Sequence, residues 1–95
     1  MAYKIIWSPR AKEIFYNVID YLEFAWGEKQ ISNFVNFTDQ MLDLIEEKPY
    51  SFKKSDIGDI HRILITKHNL LLYQIIEKTV ELISFWDTRQ DPKKI

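Results

Sequence analysis

The sequence predicts an α+β domain with the element order β-α-α-β-β-β, in which a helical hairpin packs on a small twisted antiparallel sheet. Three observations carry this reading. Apolar residues recur at three-and-four spacing from Ala11 to Ile45, the period of a helix face. Three runs rich in leucine, β-branched and aromatic residues follow one another between residues 60 and 86, separated only by short polar turns. A shorter run of the same kind, residues 3–8, precedes the helical segment.

Residues 3–8 (YKIIWS) read as the first strand. Ser8-Pro9 then starts a helix, because a serine hydroxyl accepts from unpaired amides at the N-cap and proline at the first helical position lacks one of them. The stripe Ala11, Ile14, Phe15, Val18, Ile19, Leu22 and Trp26 lines its inner face, and Gly27 supplies the left-handed conformation that ends such a helix. A second stripe, Ile31, Phe34, Val35, Thr38, Met41, Leu42 and Ile45, follows at once and stops at Pro49. So short a connection predicts an antiparallel helical pair.

Residues 50–59 (YSFKKSDIGD) form a polar loop containing Gly58. Strands then follow at 60–66 (IHRILIT), 70–76 (LLLYQII) and 79–86 (TVELISFW), joined by turns at Lys67-His68-Asn69 and Glu77-Lys78. A half-solvated sheet alternates apolar and polar residues. Residues 70–76 instead put Leu70, Leu72 and Ile76 on one side and Leu71, Tyr73 and Ile75 on the other. One helical pair covers one face, so the reverse face presents an apolar strip suited to a protein partner or to a second copy, unless the 50–59 loop and the C-terminal tail cover it.

Ninety-five residues make one domain, 1–95, with a core large enough to fold without disulfides or metal. With 46% apolar and 28% charged residues, two glycines and three prolines, a disordered or collagen-like chain is excluded. The absence of cysteine excludes disulfides, thiolate metal sites and cysteine nucleophiles. No apolar run reaches the length of a membrane span and no signal-peptide layout opens the chain, so a cytoplasmic protein with no membrane partner is expected.

The net charge of −1 conceals an uneven layout. Residues 13–47 sum to −7, from eight acids against Lys29, whereas residues 1–12 sum to +3 and residues 60–95 to +2. The acids fall mostly off the apolar stripes and predict an acidic solvent face on the helical pair. A surface so weakly basic is poor for gripping a nucleic-acid backbone, and direct binding to free DNA is not expected. His61 and His68 show no metal-ligand spacing with Asp59 or Glu81, and glycine-rich phosphate loops and GxSxG elbows are absent, so no metal or cofactor is implied.

The run Tyr3-Lys4-Ile5-Ile6-Trp7-Ser8-Pro9-Arg10-Ala11 resembles the first strand and "S-x-x-A" helix start of the RelE/ParE superfamily of bacterial type II toxin–antitoxin systems. Tyr21-Leu22 and Trp26-Gly27 resemble the end of that family's first helix. Ile60-His61-Arg62-Ile63-Leu64 and Leu72-Tyr73-Gln74-Ile75 resemble its central strands, and Trp86-Asp87-Thr88-Arg89-Gln90-Asp91-Pro92 resembles the closing segment of its ParE-like branch. The resemblance implies a growth-inhibiting, plasmid-stabilisation type of toxin, neutralised by a cognate antitoxin whose C-terminal segment wraps it. A homodimer or a toxin–antitoxin hetero-oligomer is implied as well.

The superfamily's two activities imply different targets: DNA gyrase for the ParE-like branch, and mRNA cut in the ribosomal A site for the RelE-like branch. Metal-independent RNA cleavage needs a base, an acid and positive charge at the phosphate. The sequence offers Arg62, His68 and Arg89 as catalytic candidates. Leu70 stands where the cleaving branch often carries arginine, and no tyrosine or histidine follows Arg89. The favoured expectation is therefore a gyrase-directed toxin; an mRNA endonuclease and an inactive antitoxin-binding relative are the alternatives. Arg62, Lys67, Tyr73, Trp86 and Arg89 are the expected contacts for target or antitoxin, Arg89 foremost, with an ion pair to Asp87 or Asp91 as its plainer role. His61 and His68 have a plainer role too, as exposed polar residues.

Overall fold

Residues 2–55 and 58–89 are described by a computed structural model. The first strand, β1, spans Lys4–Trp7 and leads into helix α1, Pro9–Ala25. Ser8 caps α1 as its residue type predicts, its hydroxyl accepting from the Ala11 amide at 3.0 Å. The same hydroxyl donates to the Ile83 carbonyl at 2.9 Å, tying the helix start to a strand 75 residues away.

Helix α1 ends where the amides of Trp26 and Gly27 both donate to the Leu22 carbonyl, each at 2.8 Å. Gly27 has a φ of +118° with ψ of −171°, beyond the left-handed helical region expected of it and sterically open to glycine alone. It also serves as the N-cap of helix α2, Glu28–Glu47. Pro49 stops α2 as expected and begins a single 3₁₀ turn, Pro49–Ser51.

Strands β2 (Ile60–Thr66), β3 (Asn69–Ile76) and β4 (Thr79–Asp87) form an antiparallel meander. Glu77 takes a left-handed φ of +56° in the tight β3–β4 turn. The sheet order is β1-β4-β3-β2, and β1 runs parallel to β4. The sheet is thus mixed, and the expectation of a wholly antiparallel one is corrected. The two helices occupy the sequence between β1 and the meander, and this long excursion lets β1 return in parallel.

Both helices lie on one face of the sheet, α1 against β4 and α2 against β2. The core joins Ala11, Phe34 and Ile45 from the helices to Ile63, Ile65, Leu71, Tyr73, Val80, Leu82 and Phe85 from the strands. Phe15 is its aromatic hub, with ring centroids 5.1 Å from Trp7, 5.2 Å from Phe34 and 5.6 Å from Phe85. Of the predicted stripes only Trp26 is misassigned: it lies past the last turn of α1 and is 66% exposed. Seven of the eight hairpin acids are exposed and Glu46 is half-buried, giving the acidic outer face its position predicted.

Among the described residues, the opposite face of the sheet carries no helix. Strand alternation and pairing set rows across it: Leu64, Leu70 and Trp86; Arg62, Leu72 and Ser84; Gln74, Glu81 and Ile6. Leu70 and Leu72, flanked on both sides, are buried, whereas Ile6, Leu64 and Ile76 remain exposed. A bulge in β4 between the partners of Leu72 and Tyr73 inserts Ile83, whose carbonyl is the one that Ser8 satisfies.

Candidate functional site

Three of the sequence candidates converge. Lys67 and His68 form the β2–β3 turn, and Arg89 lies just past β4. The two segments are stitched together, because Thr88 donates its amide to the His68 carbonyl (3.0 Å) and its hydroxyl to the Lys67 carbonyl (2.7 Å). Within the turn, Thr66 Oγ1 accepts from the His68 amide and from Asn69 Nδ2. The turn therefore presents its side chains from a braced backbone.

Arg89 is not a free guanidinium. Its Nε and a terminal nitrogen grip the two carboxylate oxygens of Asp87 at 2.9 and 2.7 Å, and its amide adds a third bond to that carboxylate. This fork is the bidentate geometry that arginine favours. Its two side-chain and backbone hydrogen bonds hold the Asp87 carboxyl at about 2, from an ordinary 3.8. Arg89 is raised in turn, chiefly by Asp87, with a smaller electrostatic contribution from Tyr21 on α1. The plainer role expected of Arg89, an ion pair with Asp87, is present; Asp91 lies outside the described residues, as do Gln90 and Pro92.

Beside this cluster a cleft of about 720 Å³ opens between the helical pair and the β2–β3 turn. The helical pair and its connection contribute the exposed aromatics Tyr21, Trp26 and Phe37, the amides of Asn17, Gln30 and Asn33, and a floor of Val18, Leu22 and Phe34. Thr66, Lys67, His68, Asn69, Asp87 and Arg89 form the facing wall. None of the eight hairpin acids lines it.

The remaining candidates lie elsewhere. Arg62 and Trp86 stand on the open sheet face, on either side of the Leu70–Leu72 strip, and Arg62 makes no ion pair among the described residues. The Trp86 indole nitrogen is buried with no hydrogen-bond partner among those residues. Tyr73 is fully buried, its hydroxyl donating to the Pro49 carbonyl at 2.6 Å, and burial pushes that hydroxyl well above its usual titration range. Its expected contact role is corrected to a structural one, since it offers no surface to a partner.

His61 is likewise not the exposed strand-edge residue expected. It is 3% exposed, tucked between Tyr50 and Tyr73 with centroids 6.0 and 5.3 Å away. Burial, and secondarily the charge of Lys54, lowers its pKa, against a smaller opposing pull from Asp59. His68 is half-buried. The cleft residues of the helical pair escaped the site prediction because amides and the off-stripe Tyr21 and Phe37 look like ordinary surface, and Trp26 reads as part of the inner stripe; the signal available was the absence of acids among them.

The sequence model of one family, described as the ParE toxin of the type II toxin–antitoxin system parDE, matches residues 5–92. No curated protein matches the chain. Among solved structures, the chromosomal ParDE system from P. aeruginosa superposes with a TM-score of 0.76 at 8% identity, covering 90% of this chain and 96% of that one. A mutant of the E. coli toxin RelE in the free state gives 0.63 at 22% identity, covering 92% and 84%. The heterotetrameric YoeB–YefM toxin–antitoxin complex from Staphylococcus aureus gives 0.59 at 15% identity, covering 90% and 97%. At these identities the structural likeness speaks for the fold.

Proposed function

The chain belongs to the ParE toxin family of type II toxin–antitoxin systems, and we propose that it arrests bacterial growth by binding DNA gyrase and is neutralised by a cognate antitoxin. The observation that favours binding over RNA cleavage is the fate of the histidines, the strand tyrosine and Arg89, the groups that such chemistry would draw on. Tyr73 is buried with its hydroxyl engaged, and His61 is buried and favours its neutral form. Arg89 is forked onto Asp87. His68 then remains as the solvent-reaching imidazole among the described residues, whereas 2′-hydroxyl attack needs a base and an acid placed together at the phosphate.

The open sheet face, with Arg62, Trp86 and the exposed Ile6 and Leu64, supports an apolar, acid-bearing antitoxin segment as one occupant. The solved YoeB–YefM complex, a toxin of this fold with its antitoxin, supports the same kind of partner here.

The test has two arms. Induced expression without the neighbouring antitoxin gene should stop growth, and co-expression should restore it. The purified chain should block supercoiling by gyrase, with primer extension on cellular mRNA showing no A-site cuts. Unhindered supercoiling together with A-site cuts would replace this reading by the endonuclease. Arg89→Ala should lower toxicity at least tenfold while shifting stability by less than about 0.5 kcal/mol, since the side chain is exposed.

A further inference from the structure

We infer that residues 49–55 form a strap over His61 that acid unlatches: once the imidazole takes up a proton, the strap lifts from the outer edge of β2. The strap runs antiparallel beside that strand. The Arg62 amide donates to the Lys53 carbonyl at 2.9 Å and the Ser55 amide donates to the Ile60 carbonyl at 2.6 Å, with Lys54 opposite His61 between them. By strand alternation His61 shares the core face of β2 with the buried Ile63 and Ile65.

The surroundings of the imidazole suit its neutral form alone. It is 3% exposed, and its Nδ1 is buried with no hydrogen-bond partner among the described residues. Tyr50 of the 3₁₀ turn and Tyr73 of β3 flank the ring. The charged groups that act on it are Lys54 in the strap and Asp59 just before β2, and this carboxylate is already engaged by the Lys54 ammonium at 3.0 Å. Protonation makes both ring nitrogens donors and adds a full charge where Nδ1 has no acceptor and a lysine cation stands near. The lowered pKa of His61, set first by burial and then by Lys54 against the weaker pull of Asp59, follows from the same geometry. Water reaches the ring if the strap moves, so proton uptake and opening are coupled.

The strap is built to lift from one end. Its start is anchored, since the buried Pro49 carbonyl accepts from the Tyr73 hydroxyl at 2.6 Å and the Ser51 amide donates to the Lys48 carbonyl at 3.1 Å. Beyond that anchor the hold is slight. Tyr50, Ser51, Lys53 and Lys54 are exposed, and the half-buried Phe52 is the apolar contact with the core. Segments with so little buried surface open locally while the rest of a domain stays folded. Opening leaves the Arg62 amide and the Ile60 carbonyl unpaired, so acid turns a covered sheet edge into an exposed one.

Native-state hydrogen exchange of the full chain tests this, read amide by amide by NMR at about pH 7.5 and about pH 5, across the range where histidine titrates, in sub-denaturing urea. Protection of the Ser55 and Arg62 amides should fall at least tenfold between the two pH values, through an opening that urea barely changes. In His61→Phe and His61→Gln the same amides should keep equal protection at both pH values. Tyr50→Ala removes an exposed cover, and the His61 ring signals should then titrate nearer the ordinary value of about 6.5. Strap amides that exchange only with the urea dependence of amides in β3 and β4 would mean global unfolding in place of a strap, and would overturn the inference. It would equally fall if the pH dependence survived without the imidazole, or if Tyr50→Ala left the titration of His61 where it stands in the parent.

Discussion

Replacing Tyr73 by phenylalanine removes one oxygen atom from the centre of the molecule and tests whether this residue supports the fold or acts on a partner. Tyr73 has no exposed surface, and its hydroxyl donates at 2.6 Å to the carbonyl of Pro49, itself buried. The phenylalanine ring would keep the packing against His61, at a centroid distance of 5.3 Å. The loss is then a buried hydrogen bond, with a net worth of about 1 kcal/mol, plus part of the roughly 1–3 kcal/mol penalty for stranding a desolvated carbonyl. Together these give a destabilisation of about 2 kcal/mol. A domain of this size holds a total of about 5–15 kcal/mol, so the midpoint of thermal unfolding should fall by roughly 8–16 °C. Urea titration and calorimetry would measure the change, alongside growth inhibition at a temperature where the variant is folded. Toxicity per folded molecule should equal that of the parent. A stability loss below about 0.5 kcal/mol would show that the hydroxyl does not hold the 3₁₀ turn. Loss of toxicity at parental stability would return Tyr73 to the working surface.

Ser8→Ala removes a helix cap worth about 1 kcal/mol and leaves the Ile83 carbonyl at the bulge without its donor; denaturant unfolding should show a loss of about 1.5–2 kcal/mol, and a change confined to a few tenths would mean that water replaces both bonds. Acid stability should fall in two separate windows. The pKa of His61 is lowered in the folded chain, so the unfolded chain binds its proton first: the contribution is complete above about 6.5 and fades as pH falls toward the folded value. His61→Phe should flatten urea midpoints across that window, and an unchanged profile would refute the assignment. Asp87 is depressed to about 2 from 3.8, so its contribution, present above 3.8, disappears only as pH falls through about 2. Asp87→Asn should remove that lower step while leaving the upper one intact.

The element order and both helical stripes were legible because period and capping are local properties. The Ser8-Pro9 start, the stop at Pro49 and the inward residues from Ala11 to Ile45 all follow from spacing alone. Which strand neighbours β1 is not local. Nothing in Tyr3–Trp7 says that its partner runs parallel and begins at Thr79. The bulge at Ile83 was equally hidden, since one extra residue leaves the apolar composition of β4 unchanged. His61 reads as a surface residue until the 3₁₀ turn brings Tyr50 over it. Of the site, the sequence exposed the cationic wall, Lys67, His68 and Arg89, through their polarity in and after strands. The aromatic wall stayed unread because Trp26 fits the inner stripe by number, and only the turn at Gly27 takes it out of the core.

The parallel pairing of β1 with β4 has a consequence for how the chain comes into being. β4 is the last of these four strands to be synthesised, yet it is an interior strand of the sheet, hydrogen-bonded to β1 on one side and β3 on the other. It is also the strand on which α1 rests and whose carbonyls at Leu82 and Ile83 receive Ser8. A nascent chain that has emerged only as far as β3 holds two helices with no platform beneath the first, and a β1 with no neighbour. Such long-range closure comes late in folding. The Arg89 clasp and the cationic wall of the cleft likewise wait for this strand. An interrupted product should therefore be inert as well as unfolded, and harm should come only from chains translated through β4.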